Sequence, residues 1–362
     1  MPSNKFIHIS SAGSGKTTYL VNNAINEKER KGLITTYTTE NLNEIQKKFI
    51  SKNQCIPKNI EIMSWYSFLI RECARPYQNF LYEKNRIESL FFVEGKSALY
   101  ANKSNVEKYF FFDGKYIYSD KISEFIIEIN KKSNGLVIQR LEQQYDFLCI
   151  DEIQDLAGYD LDFIELLLES SIEIHFVGDP RQGVFSTNNS AKYKKFRGES
   201  IVDLFKDWET AGKCQIIDRN FSYRCHETIC QFADNLYPNY PKTKSKLEEI
   251  VEHTGIFYLK LADLEVYLKK YNPVVLRYSK STKFLHGSAL NFGSVKGLTF
   301  ERVLILPNGP INDFLKLGKI EKLATSTKSK LYVAITRAKF SVAFLYENKS
   351  DLMNITQYQN IP

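Results

Sequence analysis

The sequence has no long hydrophobic run. No stretch approaches the roughly 20 consecutive apolar residues that cross a bilayer, and the N-terminal residues do not resemble a signal peptide. Cysteine is also sparse, and none of the six cysteines belongs to a C-x-x-C pair. We therefore expect a cytoplasmic protein with reduced thiols, no membrane partner and no metal site at its cysteines.

The remaining composition is that of a globular protein. Hydrophobic residues make up 43% of the chain and charged residues 25%, and 362 residues are enough for two or three domains with their own cores. The formal net charge of +7 is compatible with a nucleic-acid partner, although many basic proteins bind none.

A segment near the N-terminus predicts a phosphate-binding loop. The apolar run Phe6–Ile9 is followed by Gly13 and Gly15, and then by Lys16 and Thr17, which open a helix. The glycines let backbone N–H groups approach phosphate oxygens, and the helix dipole adds positive charge at the same point. Lys16 would contact the β- and γ-phosphates, and the Thr17 hydroxyl would bind Mg²⁺. The other interpretation is a glycine turn before an ordinary helix.

Strands alternate with helices along most of the chain, which predicts an α/β fold with parallel sheets. The segment from about 75 to 144 interrupts this order with aromatic clusters and one clear helix, and we interpret it as a mostly helical insertion. A second α/β set then begins with a strand at Cys214–Ile217. We place the domain boundary before that strand, so the first domain is 1–212 and the second is 213–362.

Two carboxylates follow a strand that is predicted to be buried. Asp151 and Glu152 lie just beyond Tyr145–Ile150, where α/β sheets place their ligands. An Asp there can hold Mg²⁺, directly or through water, and the adjacent Glu can take a proton from an attacking water. A solvated turn is the alternative.

One amide and two arginines complete the candidate catalytic residues. Gln182 follows the next predicted strand, and its neutral side chain could sense a γ-phosphate. Arg224 and Arg337 lie in the second α/β set, from which they could stabilise the equatorial oxygens during phosphoryl transfer. Hydrolysis would then be linked to closure of the two domains. A solvated loop Gln and surface ion pairs are the alternatives.

Taken together, these segments resemble the motif series of superfamily 1 helicases of the UvrD/Rep/PcrA type. They occur in the family's order along the chain: Ser11–Thr17 (motif I), Thr36–Thr38 (Ia), Ser64–Phe68, Asp151–Asp155 (II), Val177–Phe185 (III), the region of Arg224 (IV), Lys296–Phe300 (V) and Leu331–Ala338 (VI). The resemblance extends from one end of the sequence to the other.

The resemblance implies two RecA-like P-loop NTPase domains, with ATP and Mg²⁺ between them and single-stranded DNA across their top, and movement from 3′ to 5′. It implies nucleotide contacts from Ala12, Gly13, Ser14, Gly15, Lys16, Thr17, Thr18 and Gly297. It implies metal contacts from Thr17 and Asp151, and catalytic roles for Glu152, Gln182, Arg224 and Arg337. It implies DNA contacts from Thr38, Trp65, Tyr66 and Phe185, although each of these aromatic rings could pack in the core instead.

The sequence departs from the family pattern at several positions. The upstream glutamine motif that reads adenine is missing, so we expect weak selectivity for the nucleotide base. Glu40 stands where motif Ia usually has Lys, and Thr299 stands where motif V usually has Glu. Only Ser279–Leu290 separates the predicted strand Val274–Arg277 from motif V, where full-length relatives carry a large inserted domain.

Two functions fit these observations. The first is an ATP-dependent DNA helicase or translocase that moves 3′ to 5′ on single-stranded DNA. The second is a nucleic-acid-sensing ATPase subunit that regulates a partner nuclease or effector without unwinding. Compact UvrD-like proteins of this kind occur in anti-phage defence systems such as Gabija. The missing insertion favours the second, because a motor without its accessory domain often needs a partner. An RNA-directed ATPase is a third interpretation, since the motifs do not distinguish the sugars.

Overall fold

The chain forms two compact units in a computed structural model that describes residues 3–184, 186–187, 190, 192–249, 251–350, 352 and 355–359. Unit 1 consists of Met1–Ile9, Lys16–Pro180 and Phe185–Asp218, and unit 2 of Ser10–Gly15, Arg181–Val184 and Arg219–Pro362. Two short segments, 10–15 and 181–184, therefore pack with unit 2 although their neighbours in sequence belong to unit 1.

Unit 1 alternates strands and helices around a segment of mixed structure. Its elements are β1 (Lys5–Ser10), α1 (Lys16–Asn26), β2 (Gly32–Thr36), α2 (Thr39–Asn53), β3 (Ile60–Ser64), α3 (Trp65–Phe68), a π-helix (Leu69–Ala74), α4 (Arg75–Tyr77), β4 (Ser89–Phe91), α5 (Val106–Phe110), β5 (Phe111–Phe112), β6 (Tyr116–Tyr118), α6 (Ile122–Lys132), α7 (Leu136–Gln144), β7 (Phe147–Asp151), α8 (Tyr159–Leu168), β8 (Glu173–Gly178), α9 (Ile201–Thr210) and β9 (Gln215–Arg219).

The main sheet of unit 1 has six strands in the order β3-β2-β7-β8-β1-β9. The pairs β1–β8, β8–β7, β7–β2 and β2–β3 are all parallel, as the alternation of strands and helices predicted. The carboxyl ends of these strands therefore lie at one edge of the sheet. The prediction that strand 214–217 opens the second α/β set is wrong, because this strand is β9 and extends the first sheet beside β1. Apolar alternation identifies a strand but does not specify which sheet it joins.

Both faces of this sheet are covered. One buried cluster joins α1 and α2 to alternate strand residues, namely Leu20, Val21, Ala24, Ile45 and Phe49 from the helices and Ile34, Cys149 and Val177 from the strands. The strand residues between them are buried as well: Leu33, Leu148, Ile150 and Phe176. Burial on both faces is what a parallel sheet between helices requires.

The insertion at 75–144 contains a small sheet as well as helices. β4 pairs with β6 in parallel, and β5 pairs with β6 in antiparallel. Its aromatic residues stack in pairs: the buried rings of Tyr82 and Phe111 have centroids 4.3 Å apart, and Phe91 stacks at 4.1 Å on the exposed ring of Phe112. The expectation of a mostly helical segment missed this sheet, because strands of two or three residues are too short to show alternation.

Unit 2 is a second α/β unit. Its elements are β10 (Phe221–Ser222), α10 (Glu227–Asp234), β11 (Lys244–Ser245), β12 (Gly255–Leu259), α11 (Leu264–Tyr271), β13 (Val274–Arg277), β14 (Leu290–Asn291), β15 (Phe300–Leu306), α12 (Gly309–Leu317), α13 (Thr325–Ile335), β16 (Ala338–Leu345) and β17 (Thr356–Gln357).

The main sheet of unit 2 has the order β14-β13-β15-β16-β12-β17, and its strand pairs are parallel. Successive residues of each central strand belong to different core clusters. Val303 and Ile305 of β15 pack in the cluster that contains α10, α12 and α13. Leu304 and Leu306 pack in the cluster that contains α11. This two-sided burial explains the continuous apolar run of β15, in which alternation is lost.

Candidate active site

The loop between β1 and α1 contains two glycines in the left-handed backbone region. Gly13 and Gly15 have φ angles of +76° and +78°, which side chains rarely adopt. At Gly13, a Cβ would lie 2.6 Å from both the Arg224 Cβ and the Ser222 Oγ, so a larger residue does not fit. The first turn of α1 carries no acidic residue, so its N–H groups and dipole favour an anion.

Hydrogen bonds within unit 2 hold this loop. Its main chain bonds to other segments of unit 2 through Ser11 N to Arg219 O at 3.1 Å, Ala12 N to the Tyr332 hydroxyl at 3.4 Å, and Tyr223 N to Gly13 O at 2.9 Å. The hydroxyl of Ser14 is buried, and no described residue hydrogen-bonds to it. A buried hydroxyl in a glycine-rich loop fits a phosphate oxygen, which supports the predicted contacts of Ala12, Gly13 and Ser14.

Arg181 is a loop anchor that the sequence analysis did not single out. Its guanidinium is buried, donates to Ser10 O at 3.4 Å and pairs with Asp234 Oδ1 at 3.4 Å. Asp234 also accepts from the main chain of Thr243 at 2.6 Å, and the Thr243 hydroxyl lies 2.9 Å from that of Ser11. No sequence signal distinguishes Arg181 from an exposed loop arginine, since Ser10 lies 171 residues before it and Asp234 lies 53 residues after it.

Thr17 and Asp151 bring together a hydroxyl and a carboxylate, oxygen donors of the kind that bind a divalent cation. The Thr17 hydroxyl donates to Asp151 Oδ2 at 3.2 Å. Burial and the adjacent Glu152 charge raise the pKa of Asp151 to about 7, while Lys16 opposes this shift. A bound cation would favour the ionised carboxylate, and a hydroxyl beside a carboxylate is a donor set that suits Mg²⁺. The residues present therefore fit this metal. Lys16, Thr17 and Thr18, in the first turn of α1, are all partly exposed.

Glu152 lies in a buried hydrogen-bond network. Its φ of +60° is strained for a residue other than glycine, a feature that is frequent at functional sites. Its carboxylate accepts from the Gln154 side chain, and its Oε1 also accepts from Asn41 Nδ2 at 3.4 Å. Gln154 Oε1 in turn accepts from the main-chain N–H of Asp179 at 3.1 Å. These bonds fix the carboxylate that the sequence assigned as general base.

The sequence analysis missed these two partners of Glu152, Gln154 and Asn41. Gln154 lies inside the acidic motif that was recognised, so its spacing of two residues from Glu152 was an available signal. Gly178 leaves room for this side chain, since a Cβ there would lie 2.3 Å from Gln154 Oε1. Asn41 had no such signal, because 111 residues separate it from Glu152 in sequence.

Gln182 and Arg337 contact each other inside unit 2. Gln182 Oε1 accepts from Arg337 Nη2 at 3.1 Å, and both side chains are buried. Arg337 also donates from Nε to Val333 O at 3.1 Å and from Nη1 to Leu298 O at 3.2 Å. Gly297, which precedes Leu298, has a φ of +89°. The structure therefore brings together three segments that the motif series singled out.

Arg224 lies in the same part of unit 2. Its Nη1 donates to Thr336 O at 3.2 Å, and the hydroxyl of Thr336 lies 3.5 Å from Arg337 Nη2. Arg224 and Arg337, the two predicted arginines, therefore both contact Thr336. The Cβ of Arg224 is also one of the two atoms that limit the space at Gly13. This contact links the phosphate loop to the segment that the resemblance assigned to motif IV.

A separate groove in unit 1 contains two of the predicted DNA contacts. The groove encloses a cavity of about 550 Å³, and its walls include Thr38, Tyr66, Tyr37 and Phe92. The Tyr66 ring lies 5.7 Å from the Tyr37 ring and 5.5 Å from the Phe92 ring, and its hydroxyl donates to Thr187 O at 2.9 Å. Phe92 remains 65% exposed, so a base could stack on it.

Thr38 has a structural role as well. Its hydroxyl accepts from the main-chain N–H of Asn41 at 3.2 Å and caps the N-terminus of α2. Because the Asn41 side chain reaches Glu152, the start of α2 connects the groove to the acidic site.

Trp65 occupies a different environment from the one expected. Its side chain is only 1% exposed and packs against Phe68 and Phe163, with ring centroids 5.6 and 6.1 Å away. This position in the core gives a strand no access to the ring, as the core-packing alternative anticipated. Phe185, the remaining predicted DNA contact, lies outside the described residues.

Two family models match the sequence. The UvrD/REP helicase N-terminal domain matches residues 51–197. The viral superfamily 1 RNA helicase core domain matches residues 128–346, which is more than half of the chain. The chain therefore belongs to the superfamily 1 helicases, and its two units are RecA-like α/β domains with parallel sheets.

Two solved structures of an arterivirus helicase are similar to the chain. The crystal structure of arterivirus nonstructural protein 10 has a TM-score of 0.49 and 13% identity, and covers 94% of this chain and 59% of that protein. Its complex with DNA has a TM-score of 0.47 and 13% identity, with coverage of 94% and 60%. This chain thus spans about three fifths of the length of that helicase. Among curated proteins, a search found no match. No helix in the described ranges is long and apolar enough to cross a membrane.

Proposed function

We propose that the chain is an ATP-dependent DNA helicase or translocase that moves 3′ to 5′ on single-stranded DNA. The observation that carries this proposal is the contact between Thr17 and Asp151, beside Glu152 and at the start of α1. This contact places three features side by side. The N-terminus of α1 favours phosphate, the oxygens of Thr17 and Asp151 suit Mg²⁺, and the carboxylate of Glu152 is held in place.

Each residue of this site has a chemical role in the proposal. The loop residues 12–15 and Thr18 cradle the phosphates, and Lys16 neutralises charge on the β- and γ-phosphates. Thr17 and Asp151 would hold Mg²⁺, which would supply positive charge to offset the charge that develops on the phosphates. Glu152 orients the attacking water and accepts its proton.

Unit 2 supplies the coupling residues in this proposal. Gln182 reports the γ-phosphate, while Arg224 and Arg337 stabilise charge during phosphoryl transfer, and Gly297 contacts the nucleotide. The contacts of Gln182 with Arg337, and of Arg224 with the segment before Arg337, support their action as one group. Hydrolysis would then be linked to domain movement, which is the basis of a motor.

The groove lined by Thr38, Tyr66 and Phe92 is the proposed strand site. Bases would stack on its aromatic rings, and the backbone would follow without sequence preference. Phe185 is kept as a further proposed contact. The path from the groove through α2 to Asn41 and Glu152 supports stimulation of hydrolysis by the bound strand.

One observation favours the second candidate, a nucleic-acid-sensing ATPase subunit that regulates a nuclease or effector, for example in anti-phage defence. β13 and β14 pair directly, with Leu276 opposite Leu290, and residues 278–289 form the whole connection between them. That connection occupies the position at which related motors carry a large domain. A motor core of this size would act through a partner.

Hydrolysis and strand displacement, measured side by side, separate the two candidates. We expect ATP turnover to rise at least tenfold with single-stranded DNA, and Lys16→Ala to abolish it. Displacement of duplexes with a 3′ tail, but not a 5′ tail, would support the autonomous helicase. Stimulated turnover with no displacement at any duplex length would support the partner-dependent ATPase, and stimulation by RNA alone would contradict the DNA assignment. Equal turnover of ATP and GTP would support weak base selectivity.

A further inference from the structure

A cavity of about 740 Å³ in unit 1 is lined mainly by cationic and amide side chains. It lies where the π-helix and α4 meet the start of the insertion and α7, apart from the residues of the proposed nucleotide and strand sites. Five of its lining side chains are cationic: Arg71, Arg75, Lys84, Arg86 and Arg140. Two are acidic, Glu72 and Glu83, so the lining carries an excess of positive charge.

Two of these arginines are held in place. The Arg75 guanidinium donates from Nε to Ile87 O at 2.8 Å and from Nη2 to Glu88 O at 2.5 Å. Main-chain carbonyls fix its orientation without neutralising its charge. Arg140 Nη2 contacts the buried Glu72 carboxylate at 3.3 Å, while its buried Nε has no hydrogen-bond partner among the described residues. These two cations are therefore ordered before any ligand arrives.

The other cations leave charge uncompensated. Arg71 is 58% exposed and lies 3.8 Å from Glu72, which Arg140 already contacts, so one carboxylate serves two arginines. Arg86 is exposed, and the described residues give it no ion pair. Lys84 pairs with Glu107 outside the cavity at 2.6 Å. Several guanidinium groups around one space repel each other unless an anion joins them, and their fork geometry matches phosphate oxygens.

We propose that this cavity binds a phosphate-bearing anion of nucleotide or oligophosphate size. Its volume falls within the range of small-molecule sites, and the amides of Gln78, Asn79 and Asn85 add neutral donors beside the cations. The phosphate groups can belong to a free polyphosphate or to the phosphorylated end of a nucleic-acid strand. The site is distinct from the phosphate loop and does not depend on the function proposed above.

The test is the binding of inorganic tripolyphosphate to the full chain carrying Lys16→Ala, which weakens binding at the phosphate loop. In that background, Arg71→Ala with Arg86→Ala removes two exposed cavity cations. Lys131→Ala with Lys132→Ala removes two exposed cations from the end of α6 and is the matched control. We expect the first pair to weaken tripolyphosphate binding at least tenfold and the second pair to change it less than twofold.

Oligonucleotides that differ only in a 5′-phosphate or 5′-hydroxyl end identify the source of the phosphate. If the cavity variant also weakens binding of the 5′-phosphorylated oligonucleotide, but not of its 5′-hydroxyl counterpart, the ligand is a strand end. If it weakens only tripolyphosphate binding, the ligand is a free anion. Equal weakening of tripolyphosphate binding by the two double variants would show that binding depends on the net charge of the chain and not on the cavity, and would overturn the proposal. An absence of saturable tripolyphosphate binding to the Lys16→Ala chain would also overturn it.

Discussion

The side-chain amide of Asn41 donates to Glu152 Oε1 at 3.4 Å, across 111 residues of sequence. Asn41 is also the residue whose main-chain N–H is capped by Thr38, a lining residue of the groove. One residue thus contacts both the proposed general base and the residue at the edge of the proposed strand site. If the groove is the strand site as proposed, a bound strand would be connected to the Glu152 carboxylate through the first turn of α2.

Asn41→Ala should therefore reduce the stimulation of ATP turnover by single-stranded DNA more than it reduces unstimulated turnover. The substitution removes a donor that orients Glu152 and leaves the nucleotide contacts in place. Steady-state hydrolysis with and without a strand gives the stimulation ratio, which we expect to fall about tenfold, equivalent to about 1.4 kcal/mol. Asn43→Ala, an exposed change on the same helix, is the control. An unchanged ratio in Asn41→Ala would remove α2 from the coupling.

Gly13→Ala should destabilise the chain more than Gly212→Ala. Both glycines have similar positive φ angles, +76° and +72°, so the backbone strain of the two substitutions is matched. They differ in the space around an added Cβ. At Gly13 the Cβ would lie 2.6 Å from atoms of Arg224 and Ser222, whereas at Gly212 no atom of the described residues would lie within 4 Å of it. We expect an excess loss of about 1–3 kcal/mol in the free energy of unfolding, measured by urea denaturation. Equal losses would show that the contact with Arg224 is not rigid.

Phe92→Ala should weaken binding of single-stranded DNA by about 5- to 150-fold, equivalent to about 1–3 kcal/mol for one lost stacking contact. Phe92 is 65% exposed in the groove, so its truncation removes little core packing. Tyr100→Ala removes a fully exposed ring elsewhere in the insertion and serves as the control. Fluorescence anisotropy with a labelled oligonucleotide measures both affinities. If the two variants bind alike, the groove is not the strand site.

His253 should make the stability of the chain depend on pH. Its ring is stacked between Phe257 and Tyr271, with centroids 4.1 and 3.8 Å away. Burial, with the nearby charges of Arg302 and Lys270, lowers the pKa of His253 from 6.5 to about 4. Since the unfolded chain binds this proton more readily, the contribution of His253 is full above about pH 6.5 and is lost as the pH falls toward 4.

Urea unfolding at several pH values between 4.5 and 7 tests this dependence. For a half-buried imidazole we expect a decline of about 1–2 kcal/mol after solvent screening. His253→Phe keeps an aromatic ring in the stack but cannot titrate, so the slope of unfolding free energy against pH should flatten. A slope equal to that of the unsubstituted chain would assign the dependence to other groups.

The parts of the site that follow strand ends could be predicted from the sequence. Thr17 and Asp151 come together because their strands are parallel and end at one edge of the sheet, a relationship that spacing and periodicity already contain. Gln182 and Arg337 were recognised as single residues, but their contact joins segments 155 residues apart and required the fold.

Other features had no signal in the sequence. Trp65 follows β3 and is the first residue of α3. Its residue type suits a core position and a stacking platform equally, so only the burial of the ring distinguishes the two roles. The strands of the insertion are too short to show alternating polar and apolar residues. The strand at 215–219 has no residue pattern that predicts which sheet it joins. Arg181 was passed over because a buried pair with Asp234 depends on a loop closed by long-range contacts.

The account depends most on Glu152 as the group that activates water while the loop and Mg²⁺ ligands hold the nucleotide. Single-turnover hydrolysis of ATP by Glu152→Gln, measured with its ATP affinity, tests this directly, because the amide keeps the shape of the side chain and cannot accept the proton. The account predicts a loss of at least a hundredfold in the hydrolysis rate, with ATP affinity changed less than threefold. Hydrolysis at the unsubstituted rate, with normal affinity, would contradict it.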